Sequence, residues 1–276
     1  MNKYSKISVV VPSFNQGEFI ERTILSIVGQ NYPDLELIVI DGGSSDNTVK
    51  VLKKYEKYIT YWVSEKDKGQ SDAVNKGLKM TTGSIIGWLN SDDIYLNNCL
   101  FRINEYFYSN RETNIVFANY YFIDSNDNIL SLRKEIKFNY NIYIWTRNCF
   151  HANCSGFFTN KVFENIGYLD SELHYSMDYE FYLRAYKKGI KIAHQNEIWS
   201  GYRLHDASKS IALNAEQLRE TNEILIKMDA YPDSSFLFKI LYHYYKYYRL
   251  IKKSLIGSYF PINKYKIEIK GVENIQ

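Results

Sequence analysis

Between residues 5 and 120, short β-branched runs alternate with segments of helical spacing, and this alternation constrains the fold more than any other feature of the chain. The runs Ile7–Val11, Glu36–Ile40, Tyr58–Val63, Ser84–Leu89 and Ile115–Ala118 read as strands. Between them Ile20, Ile24, Ile27 and Val28 recur at helical intervals, as do Val49 and Leu52, and Gln70 to Lys79 has the same character. Strands that are apolar without a break are buried on both faces. The pattern therefore predicts an α/β fold, a Rossmann-like and mostly parallel sheet with helices on each side. Ligands of open sheets of this kind bind beyond the carboxyl ends of the strands.

Composition narrows the class further. At 276 residues and 45% apolar, the chain can bury a core of ordinary size, which excludes disorder. A formal net charge of +3 is too small to make nucleic acid the partner of the whole molecule. Cys99, Cys149 and Cys154 cannot close a disulfide framework, and the first apolar run is too short for a signal-peptide core, so a reduced, cytoplasmic protein is expected. The best candidate for a membrane span, Ile115 to Ile123, contains Asn119 and falls well short of the ~20 apolar residues required.

The residues after each strand form an informative series: Pro12-Ser13-Phe14-Asn15, then Asp41-Gly42-Gly43-Ser44-Ser45-Asp46, then Ser64 to Asp72, then Asn90-Ser91-Asp92-Asp93. Carboxylates crowded on one edge repel unless a cation or hydrogen-bond donors offset them. A divalent metal with a phosphate-bearing ligand would do so. The Asp92-Asp93 pair could also cap a helix beginning near Leu96. Asp41 could accept a hydrogen bond from a nucleobase imide, hold a ribose, or serve only in a turn. A dinucleotide site would need a Gly-rich first turn, whereas Pro12 to Gly17 holds one glycine.

Together with Gly69 to Gly77, His174-Tyr175-Ser176-Met177-Asp178-Tyr179-Glu180 and Arg203-Leu204-His205, these segments resemble the inverting family 2 glycosyltransferases of GT-A fold, of the bacterial polysaccharide type. The resemblance runs through about residue 210. It implies a hexosyl-transferring enzyme with a nucleotide-sugar donor, a UDP-sugar first among them, and a glycan or lipid-linked glycan acceptor. It also implies that Asp93, with His205, holds Mn2+ or Mg2+ and that Asp92 touches the donor ribose. Pro12, Phe14, Asn15, Asp41, Gly43, Asp67, Gln70 and Asn75 would complete the donor site. Asp178 would be the base that takes the acceptor's proton.

The local sequence agrees with that last role. Ser176 is a plausible N-cap, Met177, Phe181 and Ala185 form an apolar stripe, and Gly189 is a good stop, so Asp178 falls in a first helical turn where the dipole favours its ionised form. The stretch Phe150 to Phe158 resembles an acceptor-facing segment that often carries Gln where this chain has Asn153 or Cys154. Two other readings of the whole chain are a catalytically silent nucleotide- or glycan-binding scaffold and a sugar nucleotidyltransferase.

A catalytic domain is expected over 1–214, with a nucleotide-sugar-binding half (1–120) and an acceptor-binding half (121–214), followed by a helical extension over 215–276. Residues 236–270 hold eight Lys/Arg against one acid, Glu268, interleaved with tyrosines. Such a segment suits either peripheral contact with an anionic membrane or packing on the core.

Overall fold

The structure, a computed structural model, describes residues 4–205, 215–230, 235–259 and 265–269. Strands β1 (Ile7–Ser13), β2 (Leu35–Asp41), β3 (Tyr61–Ser64) and β4 (Ile85–Trp88) run parallel in the order β3-β2-β1-β4. Helices α1 (Ile20–Val28), α2 (Thr48–Tyr55) and α3 (Gln70–Met80) make the crossovers between them. The order reverses between β1 and β4, which opens a crevice at their carboxyl ends. Pro12 widens it. Leu89 N–H donates to Val10 O, so Pro12, two residues on, turns the same edge toward β4 and has no N–H to continue that pairing.

The second half is built on β6 (Ile115–Ile123). After β5 (Ile94–Tyr95) and α4 (Cys99–Ser109) come β6, β7 (Ile129–Arg133), α5 (Tyr140–Thr146), β8 (Gly156–Thr159), α6 (Asn160–Ile166), α7 (Met177–Lys187) and β9 (Ile192–Arg203). The sheet continues from β4 as β8-β6-β9-β5, with β8 antiparallel to both its neighbours and β7 antiparallel to the far half of β6. β9 runs parallel to β6 along its whole length.

Alternate side chains of β1 enter two cores. Val9 and Val11 pack with Ile24, Leu52 and Leu100 on one face, while Val10 packs with Val74, Ile86 and Trp88 on the other. Each such aliphatic side chain removed from water contributes about 1.5–3 kcal/mol. The strand and helix alternation is therefore borne out, with differences at its edges. β6 runs on to Ile123, because Tyr120 to Ile123 pair with both β7 and β9. The helix expected from Leu96 starts at Cys99, after Asn98 in a left-handed turn, and Ile94-Tyr95 instead pair with β9. Asp92-Asp93 thus cap no helix.

Helices α8 (Ala215–Lys227) and α9 (Ser235–Leu255) join the second core, although the boundary expected near 214 lies outside the described residues. Ile224 and Leu225 are buried there, and Tyr245 and Tyr248 pack against it. Glu135, buried at the end of β7, pairs with Arg249 at 3.0 Å and Lys253 at 2.5 Å, anchoring α9. Among the described residues no helix is long and apolar enough to cross a membrane.

Glu220 of α8 binds the loop that leads into α7. Its carboxylate accepts from the N–H groups of His174 (2.9 Å), Tyr175 (2.8 Å) and Ser176 (2.9 Å). Ser176 stands at the N-cap position as expected, but its hydroxyl meets Thr221 Oγ1 at 3.0 Å and leaves the α7 N–H groups alone. Replacing Glu220 by Ala strands three inward-facing donors. We expect a loss of about 1–3 kcal/mol in urea unfolding, and an unchanged midpoint would show that the loop does not need α8.

Candidate active site

The loops after β1, β2 and β3 are fastened to one another by short polar side chains. Asn15 has φ +52°, a conformation that asparagine tolerates; its N–H donates to Ser44 Oγ at 2.7 Å and its Oδ1 accepts from Ser45 N at 2.9 Å. Gln16 N–H donates to Thr48 Oγ1 at 3.0 Å and Gly17 N–H to Asp46 Oδ2 at 2.8 Å. The backbone donors of this turn are thus consumed by side chains, and no phosphate cradle is left there. Phe14, between the strand end and this clamp, is 59% exposed.

Asp41 is 0% exposed. It accepts from Ser44 N (2.9 Å), Ser44 Oγ (2.5 Å) and Ser64 Oγ (2.5 Å), so it organises the second and third loops as well as standing beside them. Gly42 is a close approach, since a Cβ there would lie 2.5 Å from Asp67 Oδ2, and exposed Gly43 takes φ +82°. Asp67 accepts from Gly69 N at 2.9 Å at the start of α3. Gln70 donates to Asn90 Oδ1 at 2.9 Å, linking α3 to the loop after β4.

Asn75 belongs elsewhere. Expected against the donor, it is instead buried between α3 and the loop before α7, where its amide donates to Leu169 O at 2.8 Å and accepts from Leu169 N at 2.9 Å. Ser71 adds a bond to Leu173 O at 2.7 Å. These contacts hold the loop carrying His174, whose ring lies against Gly69.

The turn after β4 holds the first acidic centre. Thr23 Oγ1 donates to the carbonyls of Ser91 (2.8 Å) and Asp93 (2.7 Å), fixing its backbone from α1. Asp93 is 1% exposed; Oδ1 accepts from Arg203 N at 2.8 Å, and Oδ2 is buried with no hydrogen-bond partner. Burial, followed by the charge of Asp92, pushes its carboxyl well above the usual range. His205 was expected beside Asp93. The structure places its Nε2 3.0 Å from Asp92 Oδ2, with the ring 4.6 Å from Phe19, because β9 delivers Arg203 to Asp93 and carries His205 past it.

The second acidic centre is at the start of α7. Asp178 Oδ1 accepts from Tyr179 N at 2.7 Å, and the neighbouring Cys149 and Asn153 side chains also favour its ionised form. Tyr182 donates its hydroxyl to Asn153 Oδ1, which turns the Asn153 NH2 toward Asp178. The sequence favoured an ionised Asp178 in a helical first turn. Burial outweighs these bonds and raises its pKa above the ordinary aspartate value. Below it Tyr143 OH meets His151 Nδ1 at 2.8 Å; His151 Nε2 lies 3.0 Å from Ile136 O, a pure acceptor, so Nε2 carries the proton.

The 3-10 turn Asn153–Ser155 connects the two centres. Asn153 serves Asp178, while the buried Cys154 thiol is pushed up by burial and by the nearby charge of Asp93. Three residues that build the site were not assigned roles from sequence: Arg203, Cys149 and Thr23. Only Arg203 carried a signal, inside the Arg203-Leu204-His205 segment.

Among the described residues no group of three His, Cys, Asp or Glu is spaced to hold a metal with protein ligands alone. Mg2+ and Mn2+ do not need one, since substrate phosphates and water complete their shells. The unpartnered Oδ2 of Asp93 and the Asp92–His205 pair are hard oxygen and imidazole donors that fit such an ion.

A family model described as "Glycosyl transferase family 2" matches residues 8–167. An uncharacterised glycosyltransferase of Rickettsia typhi is 28% identical over 228 residues, 79% of this chain and 70% of that protein. Among solved structures, S. aureus TarS 1-349 in complex with UDP-GlcNAc superposes with a TM-score of 0.65 at 17% identity, covering 87% of this chain and 71% of that one. Glucosyl-3-phosphoglycerate synthase from Mycobacterium tuberculosis, in complex with Mn2+, UDP and glucosyl-3-phosphoglycerate, gives 0.60 at 18%, covering 83% and 82%. These similarities establish a GT-A fold.

The partial burial of Asp178 has a consequence for stability. Its raised pKa means that the native chain holds this proton to higher pH than the unfolded chain. The associated stability is complete below the ordinary aspartate pKa and is lost as pH rises through the raised value. Asp178→Asn removes the charge without changing shape. It should raise the melting temperature at pH 7, with the gain vanishing below about pH 4; a gain equal at both pH values would show that burial of the charge is not its source.

Proposed function

The chain belongs to glycosyltransferase family 2, and on that premise we propose an inverting hexosyltransferase that moves a sugar from a nucleotide donor, a UDP-sugar, to a hydroxyl of a glycan or lipid-linked glycan. The observation that carries this reading is the pair of acidic centres, Asp92-Asp93-His205 and Asp178, joined by the turn at Asn153. Uridine nucleotides in both structural neighbours, and Mn2+ in one, support the choice of donor and cation.

The donor would lie at the carboxyl ends of β1 and β4, against Phe14 from the loop after β1, Gly43 and Asp67 from the adjoining loops after β2 and β3, and Gln70 at the start of α3. Mn2+ or Mg2+ held by Asp93, Asp92 and His205 would offset charge developing on the departing diphosphate. Asp178 takes the acceptor proton as the hydroxyl attacks from the face opposite the leaving group. A base works best with a pKa near the working pH, so the raised pKa of Asp178 suits this role better than an ordinary aspartate would. Asn153 and Cys149 stand beside the carboxylate and Tyr182 fixes Asn153. A nucleotidyltransferase would need free backbone donors for a triphosphate, and the turn at Asn15 to Gly17 has spent its own.

Release of nucleoside diphosphate from a panel of nucleotide sugars identifies the donor, and the anomeric configuration of the product, read by NMR, tests inversion. Asp93→Ala should abolish transfer and remove the metal dependence of donor binding; full activity in EDTA overturns the metal's part. For Asp178→Asn, kcat should fall by about 10²–10⁴ with donor affinity retained. Loss of donor binding along with rate would make Asp178 a binding residue.

A further inference from the structure

Among the described residues, helix α9 is packed on one side. Tyr245 and Tyr248 face the second core, whereas Ile240 (49%), Tyr247 (58%) and Ile251 (60%) are exposed. With Phe236 and Tyr244, also exposed, they recur at intervals of three and four and make one apolar outer face. The helix has five Lys/Arg and no acid in 21 residues.

Beside that face lies a cavity of about 310 Å³ between β7, α5 and α9. Arg133, Lys246, Arg249 and Lys253 line it. Glu135, beneath, pairs with Arg249 and Lys253, which among the described residues leaves four cations to one carboxylate. The Nε atoms of Arg133 and Arg249 are buried with no hydrogen-bond partner. Buried guanidinium N–H groups without acceptors match the oxygens of a phosphate. Leu250 lines the cavity and is itself exposed, so the cationic hollow borders the apolar face.

We propose that α9 rests on an anionic membrane surface, with its outer face in the headgroup boundary and the phosphate of one lipid headgroup in the Arg133–Lys246–Arg249–Lys253 cavity. A free phosphate would use the cavity and leave the apolar face unexplained. A second copy paired about a two-fold axis would set these cations against their own counterparts. An anionic lipid surface satisfies both features, and apolar burial and charge attraction then add.

The test uses the full chain and sucrose-loaded vesicles, either phosphatidylcholine alone or an equal mixture with phosphatidylglycerol. The protein should sediment with the mixed vesicles at low salt, be released by added salt, and ignore the neutral ones. Lys246→Gln should weaken partitioning about fivefold, the equivalent of one charge near an anionic surface. The double variant Ile240→Ser/Ile251→Ser should weaken it by about tenfold or more while leaving the circular dichroism spectrum unchanged. Equal sedimentation with neutral vesicles, or unaltered binding by the double variant, overturns the proposal. Calorimetric binding of inorganic phosphate without vesicle binding makes the cavity a soluble-anion site and overturns it. So does a dimer in sedimentation velocity that the double variant dissolves.

Discussion

The buried guanidinium of Arg203 is the interaction on which the rest of the site depends. A fully buried cation is stable only when paired and hydrogen-bonded. Here Asp127 lies 2.6 Å away, and the carbonyls of Asp92 and Asp124 accept at 2.7 Å each. The same residue's N–H reaches Asp93. One residue at the end of β9 therefore fixes the backbone of the acidic turn, one of its carboxylates and the loop after β6. Arg22 of α1, 3.1 Å from Asp127, extends the network to the other side of the crevice.

That network explains how two adjacent aspartates persist at the edge of a core. Desolvation raises the pKa of both the buried Asp93 and the half-buried Asp178, so in each case the fold bears a cost to keep a carboxylate there. The two sites bear it differently. Asp178 accepts from Tyr179 N and has the polar side chains of Cys149 and Asn153 beside it, whereas Asp93 keeps one oxygen with no donor among the described residues. An oxygen left without a donor is suited to a cation.

The first half of the chain was legible in the sequence because its strands are short and separated by ordinary crossovers, and because every strand end there is marked by Gly, Ser, Asn or Asp. In the second half only the start of β6 and the helix α7, with its Met177, Phe181 and Ala185 stripe, were legible. β9 reads Ile192-Ala193-His194-Gln195-Asn196-Glu197 at its start, a polar run without alternation, and register shifts against β6 break any period. Asn75 misled for a different reason: its motif position suggested donor contact, while its amide matches a backbone peptide of a loop distant in sequence. Arg203 was quoted in a motif without a role, since a buried guanidinium gains its meaning from partners on β7's approach and β4's exit. The tail offered two readings, and α9 has a face for each: a core-packed side and an open one.

Gly42 carries a consequence for how relatives of this chain can diverge. With a Cβ at that position predicted to collide with the Asp67 carboxylate, residues 42 and 67 cannot drift independently; a larger residue at one demands a smaller one at the other. The hydroxyl of Ser44, shared between Asn15 and Asp41, ties two further positions into the same set. Descendants that acquire a new donor preference would have to leave this set intact and change instead at sites such as Phe14, where the side chain is open and a substitution disturbs no neighbour's hydrogen bond.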